Sequence, residues 1–299
     1  MMNYTGEIAG LATAICWTAT AMSFQYASRR IGSVSVNLIR MVFAFVFYLI
    51  YSRIVLGQWL PLDASPEAWL YLGISGLIGF VIGDYFLFKS YEYVSSKISM
   101  LIMSTAPAFA ALLGWIMIKD PFTWMNFFGM ALVMLGVAVV ILKKDTESGK
   151  RRMRYPVKGI LFAFGGAIGQ GVGSVFSKIG MADNDPFASS QIRVIIGLIG
   201  FTIMISFMKH WKNLFEGVKD KKASKALVIG SFFGPFLGVS LGMVAFKYTS
   251  LGVASTLMAT VPVFILLPSH IILKEKLTLN EVVGAIIAVM GIAIFFVKI

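Results

Sequence analysis

Three features of the 299-residue sequence predict an all-α integral membrane protein of ten transmembrane helices, built as two inverted five-helix repeats. The chain is 58% hydrophobic and only 13% charged, with a mean hydropathy of +0.83, a balance that no water-soluble core of this length absorbs. Ten apolar stretches are each long enough to cross about 30 Å of hydrocarbon as a helix. Finally, one half of the sequence recurs in the other at an offset of 155 residues, so that Gly79 falls on Gly234. Five is odd, so the second copy enters the bilayer from the face opposite to the first.

In chain order the spans are expected at residues 7–27, 34–52, 68–90, 96–118, 124–142, 157–180, 187–208, 226–247, 253–273 and 279–297. The first is expected to remain as a helix, because "MMNYTGEIAG" carries Glu7 and no Lys or Arg ahead of the apolar run, unlike a cleaved leader. It offers Trp17, Thr18, Ser23 and Tyr26, whose aromatic rings could cover an apolar or aromatic substrate; Tyr26 sits near an interface, where aromatics anchor helices in any case. The single cysteine, Cys16, excludes an intramolecular disulfide and a cysteine metal cluster, and reads as a small buried thiol. The second span carries Arg40 in "NLIRMVFAF", and the third carries Asp84 in "GLIGFVIGDYFLFKSYEY". The fourth and ninth contain Pro107 and Pro262, each of which removes a backbone hydrogen bond and is expected to kink its helix, as a static bend or as a hinge that frees a carbonyl. In the sixth, Gln170, Ser174 and Lys178 share one face, while glycines 165, 169 and 173 form a stripe that permits close helix approach. The seventh carries Arg193 in "SQIRVIIGL".

Loops 143–158 and 209–225 hold seven and six Lys or Arg, and with ten spans both fall on one face. Adding Arg29, Arg30, Lys89, Lys97, Lys274 and Lys276 brings that face to 19, against five on the other (Arg53, Lys119, Lys178, Lys247 and Lys298). The net charge of +12 is therefore explained by topology before nucleic acid is invoked. By the positive-inside rule the basic face is cytoplasmic and both termini of this multi-pass protein of the cell (inner) membrane lie outside. Contact of a basic loop with anionic lipid is the other reading of the same cations.

The repeat is gapless over "GFVIGDYFLFKSYEYVSSKISMLIMSTAPAF" and "GPFLGVSLGMVAFKYTSLGVASTLMATVPVF". Tyr93 meets Tyr248, Thr105 meets Thr260 and Pro107 meets Pro262, and after a two-residue shift Arg40 meets Arg193. The expected organisation is a first repeat at 1–144, a basic cytoplasmic linker at 145–156 and a second repeat at 157–299. The two proline-centred segments "STAPAFAALLGWIMIKD" and "ATVPVFILLPSHIILKE", each followed by a glycine-bearing helix, resemble the EamA family of the drug/metabolite transporter superfamily over nearly the whole chain. The resemblance implies a ten-helix secondary carrier of small molecules, in a family that includes exporters of amino acids and other metabolites, and it implies no nucleotide-binding part. No GxxxxGK[ST] stretch is present to cradle phosphates.

A charge at bilayer depth costs several kcal/mol unless it faces protein, water or a partner, so Arg40, Asp84 and Arg193 are the first site candidates. Arg40 and Asp84 are expected at similar depth, roughly 10 Å from the basic face at 1.5 Å per residue, as an ion pair or gate element. Asp84 has Val239 as its repeat mate, which leaves Arg193 to be neutralised by Asp183 or Asp185 or to attract an anionic group of a substrate. Trp17, Thr18, Ser23, Gln170 and Ser174 complete the expected cavity lining. His210 and His270 have no metal or catalytic pattern around them, which argues against an enzyme, and no cofactor or metal is expected. A membrane scaffold would not need two inverted halves with intramembrane charges. The expected function is a secondary transporter working by alternating access, exporting small polar or amphipathic metabolites such as amino acids, with a coupling ion such as a proton. The alternative is a multidrug-type proton antiporter for lipophilic cations with Asp84 as the proton site.

Overall fold

The computed structural model describes residues 4–118, 124–144, 151–249, 254 and 257–295. Its helices are α1 (Thr5–Ile31), α2 (Ser33–Leu56), α3 (Pro66–Tyr91), α4 (Ser96–Met117), α5 (Trp124–Ile141), α6 (Val157–Met181), α7 (Pro186–Phe207), α8 (Trp211–Val218), α9 (Lys221–Tyr248), α10 (Val261–Ile272) and α11 (Leu279–Phe295). Helix starts follow from capping chemistry. Ser65 accepts from the Ala68 N–H ahead of Pro66, and Asp185 accepts from the Phe187 and Ala188 N–H groups ahead of Pro186, so α3 and α7 open alike in the two halves.

Ten membrane-spanning helices were expected. Among the described residues, α2, α3, α4, α6, α7 and α9 are long and apolar enough to cross a membrane, and three shorter apolar helices lie at Phe127–Ile141, Val261–Ile272 and Leu279–Ile294. Helix α1 has the length, at 27 residues, but carries more polar side chains. Its threonines remain compatible with burial because Thr13, Thr18 and Thr20 donate to the carbonyls of Ala9, Ala14 and Cys16 one turn back. One further expectation is corrected. Loop 209–225 contains α8 and the first turn of α9, which Asp220 caps. Within the expected linker 145–156, Arg151–Met153 pair antiparallel with Leu142–Lys144 as a short ladder beside an otherwise helical fold. Residues 145–150, Lys119, Lys298 and the terminal Ile299 lie outside the described residues, as does part of the expected span 253–273.

Pro107 and Pro262 were expected to kink continuous helices. Both instead stand in the first turn of a restarted one: α4 breaks at Ser104–Thr105 and resumes at Ala106, and Val261–Phe264 begins one residue before Pro262. That position suits proline, since its missing N–H has no intrahelical acceptor there. The carbonyls freed by the breaks are taken locally, Ile102 by the Thr105 hydroxyl and Leu257 by the Thr260 hydroxyl, at repeat-equivalent positions.

The two halves interlock. Helix α6 packs on α3, where a methyl added at Gly173 would lie 2.9 Å from Gly79 Cα, and α1 packs on α9, where Gly234 faces Thr20. Both α3 and α9 open into π-helical turns at these contacts, at Gly76–Gly83 and Phe232–Gly238, the latter around Pro235, which cannot donate to the regular ladder. The main core, with Phe24, Met41, Tyr48, Phe80, Tyr91 and Phe201, therefore draws on both halves. The perimeter presents Ile8, Ile15, Leu70, Leu161, Ile203, Leu267 and Met290 to the outside, an apolar surface suited to lipid.

Candidate functional site

Where the halves meet lies a cavity of about 180 Å³, lined among others by Trp17 and Thr20 of α1, Arg40 of α2, Phe80 and Asp84 of α3, Gln170 and Ser174 of α6, and Arg193 of α7. Asp84 sits at its polar centre, one residue past the π-helical stretch of α3. Its Oδ2 accepts from Arg40 Nη2 at 2.6 Å and its Oδ1 from Gln170 Nε2 at 2.7 Å, so the ion pair of one half is bonded to the amide of the other. Gln170 Nε2 also reaches the Gly79 carbonyl at 3.2 Å, a group of the π-helical stretch. Arg40 Nε donates to Asn37 Oδ1 at 3.0 Å, and its guanidinium lies 4.6 Å from the Phe88 ring centroid. Arg40 and Asp84 are 3% and 5% exposed, which makes this a buried pair with both carboxylate oxygens bonded.

Arg193 is 6% exposed and lies on the same cavity, its guanidinium 4.4 Å from the centroid of Phe80. Asp185 is engaged at the α7 cap, and neither it nor Asp183 forms an ion pair with Arg193. Tyr48 of the first half reaches the second: its hydroxyl lies 2.9 and 3.0 Å from the Pro235 and Phe236 carbonyl oxygens and 2.7 Å from Ser240 Oγ. Each π-helical stretch thus has a carbonyl bonded by a side chain of the opposite half, Gly79 by Gln170 and Pro235 by Tyr48.

Of the residues singled out from sequence, Trp17, Arg40, Asp84, Pro107, Gln170, Ser174, Arg193 and Pro262 come together around this cavity. Thr18 and Ser23 do not. Thr18 is buried with its hydroxyl turned to Ala14, and Thr20 takes the cavity-facing position on α1 instead. The helical register explains this, since Trp17 and Thr20 are three residues apart and share a face while Thr18 is turned about 100° from Trp17. Ser174 donates to the Gln170 carbonyl, and Lys178 at the end of the stripe is exposed.

A second polar cluster escaped the sequence reading. At the basic-loop end, Lys97 Nζ lies 3.1 Å from Glu281 Oε2 and 3.7 Å from Glu275 Oε2, while Tyr155 donates to Glu281 Oε1 at 2.8 Å and Gln25 donates to Glu275 at 3.2 Å. Burial pushes the Tyr155 hydroxyl above its ordinary range, so it stays a donor. Lys97 looks like a loop cation in sequence, and Glu281 like a first-turn acid of an interfacial helix. Only the tertiary fold, which brings the start of α11 to the start of α4, joins them. At the opposite end Ser52 donates to Gln191 at 2.7 Å and Gln191 to the Trp59 carbonyl at 2.8 Å, and Thr249 donates to the Glu7 carboxylate at 2.8 Å.

Comparison with known proteins agrees with this arrangement of two interlocked halves. The EamA-like transporter family model matches twice, at residues 4–142 and 157–297. An uncharacterized transporter of Archaeoglobus fulgidus is 23% identical over 283 residues, covering 94% of this chain and 95% of its own. The uncharacterized transporter YyaM of Bacillus subtilis is 24% identical over 234 residues, covering 77% of this chain and 73% of its own. A crystal structure at 14% identity superposes with a TM-score of 0.65 over 98% of this chain and 96% of that one, a likeness of fold alone.

Proposed function

Because the chain belongs to the EamA-like transporter family of the drug/metabolite superfamily, we propose that it is a secondary active transporter that exports small polar or amphipathic metabolites, amino acids among them, by alternating access. The two family-model copies are read as inverted five-helix repeats, with both termini outside the cell membrane and the basic loops inside. The observation that carries this reading is the cavity between the halves: it is lined from both, holds amide, hydroxyl and guanidinium groups, and is walled mostly by apolar side chains. Gating falls to the charged contacts at the basic-loop end, Arg40–Asp84 and Lys97–Glu281, which join different helices and break when those helices separate. The cation-antiporter alternative requires a carboxylate free to exchange a proton for substrate, whereas both oxygens of Asp84 are engaged.

A metabolite-library thermal-shift screen on the purified protein identifies ligands, and counterflow in proteoliposomes tests whether they cross. Gln170→Ala is expected to cut counterflow about tenfold, the worth of a hydrogen bond to a charged group. Its folded yield is expected to stay near that of the parent. Ligands that stabilise the protein but never cross the bilayer overturn the transport reading, and loss of fold in step with flux assigns Gln170 to packing.

A further inference from the structure

The cavity is lined by two guanidinium groups and one carboxylate, and the carboxylate is spent on Arg40. Arg193 is left over. Among the described residues it has no ion-pair partner, and its buried Nε has no hydrogen-bond partner. The Phe80 ring covers the face of the guanidinium but cannot accept its N–H groups, which lie in the plane of the fork. A buried cation kept in this condition is costly unless something else supplies the acceptor. We propose that Arg193 binds the carboxylate of a small monocarboxylate whose apolar body lies against Trp17, Met103, Met243, Phe246 and Met258; this deepens, and rests on, the transport reading above.

Charge and size select this class. With Arg40 and Asp84 neutralising one another, the cavity carries one excess positive charge, which a monoanion cancels and a divalent phosphate overshoots. An amino acid places its carboxylate equally well, but its ammonium then needs an acceptor. Asp84 is the single acid among the described lining residues, and both of its oxygens are taken. A lipophilic cation meets Arg193 with like charge. The cavity, about 180 Å³, has room for a compact organic acid.

The test uses three probes that share a phenyl ring and two-carbon arm: 3-phenylpropionate (anion), phenylalanine (zwitterion) and phenethylamine (cation). Titration calorimetry on the detergent-purified full chain is expected to rank 3-phenylpropionate above phenylalanine and to find no binding of phenethylamine. Arg193→Met is expected to weaken 3-phenylpropionate about tenfold or more, and Arg193→Lys, which keeps the charge without the fork, to fall between. Should Arg193→Met fail to fold, Arg193→Lys carries the comparison, since it preserves the buried charge. The proposal is overturned if the folded parent binds phenethylamine or phenylalanine more tightly, fails to bind 3-phenylpropionate, or releases it to inorganic phosphate. It is equally overturned if both Arg193 variants bind it as the parent does. Binding that depends on Arg193 without counterflow of the probe removes the transport reading and leaves the site; counterflow indifferent to Arg193 removes the site and leaves the transport reading.

Discussion

At the scale of single residues, Asp84 is held in a way that an amide cannot reproduce. A carboxylate offers acceptors to Arg40 and Gln170 at once, whereas asparagine offers one oxygen and must turn its NH2 toward one of two donors. Asp84→Asn and Arg40→Gln are therefore expected to destabilise the protein by about 3 to 5 kcal/mol each, because each leaves the other group buried and unpartnered, and the double variant by clearly less. Thermal unfolding of the four proteins in one detergent measures the cycle. Additive losses would count against the pair. If Asp84→Asn instead folds normally, abolishes pH-driven uptake and still exchanges substrate, Asp84 is the proton carrier of the alternative reading. Much of this was legible: equal depth along α2 and α3 points Arg40 at Asp84, and the valine at 239 signals that Arg193 lacks a matching acid. Gln170 as the third member was not legible, because its contact depends on how far α6 sinks onto α3, a distance set by glycines and not by any polar pattern.

For the helices, the glycine stripe of α6 sets how close the halves come. Substituting Gly173 by valine places its Cβ 2.9 Å from Gly79 Cα and 3.2 Å from Gly79 N, backbone atoms that cannot rotate away. Gly165→Ala meets only the side chain of Phe86, at 3.0 to 3.5 Å. Gly173→Val is accordingly expected to cost about 1 to 3 kcal/mol or more as overpacking and to cut monodisperse yield on gel filtration, with Gly165→Ala close to the parent. Equal yields for the two would remove the close-packing account. The stripe itself could be read from sequence. The breaks at Thr105 and Thr260 could not, since apolar residues continue on both sides and hydropathy registers one uninterrupted span. Helix α8 was hidden for the opposite reason, the lysines within and around it masking a helix whose Leu214 and Gly217 are buried.

On the scale of the whole molecule, the charge bias predicts an external carboxyl terminus, so a reporter fused after Ile299 that works only in the cytoplasm is expected to be silent; strong activity would reverse the orientation. Loop cations are counted without knowing the fold, whereas the Lys97–Glu281 contact needs segments far apart in sequence to come together first. That contact has a consequence for the cycle. Two identical inverted halves would give inward- and outward-facing states of equal energy, each visited half the time. Here the repeat mates of Asp84, Lys97 and Glu281 are Val239, Gly252 and Asn126, so the sequence of the other half carries no counterpart of these ion pairs at the equivalent positions. Every 1.4 kcal/mol by which such pairs, acting as a latch, favour closure shifts the resting population about tenfold. In the alternating-access cycle proposed above, such a latch would bias the empty carrier to wait with its basic-loop end shut, and a substrate arriving from that side would have to supply, through its preference for the open state, the free energy that unlatches it.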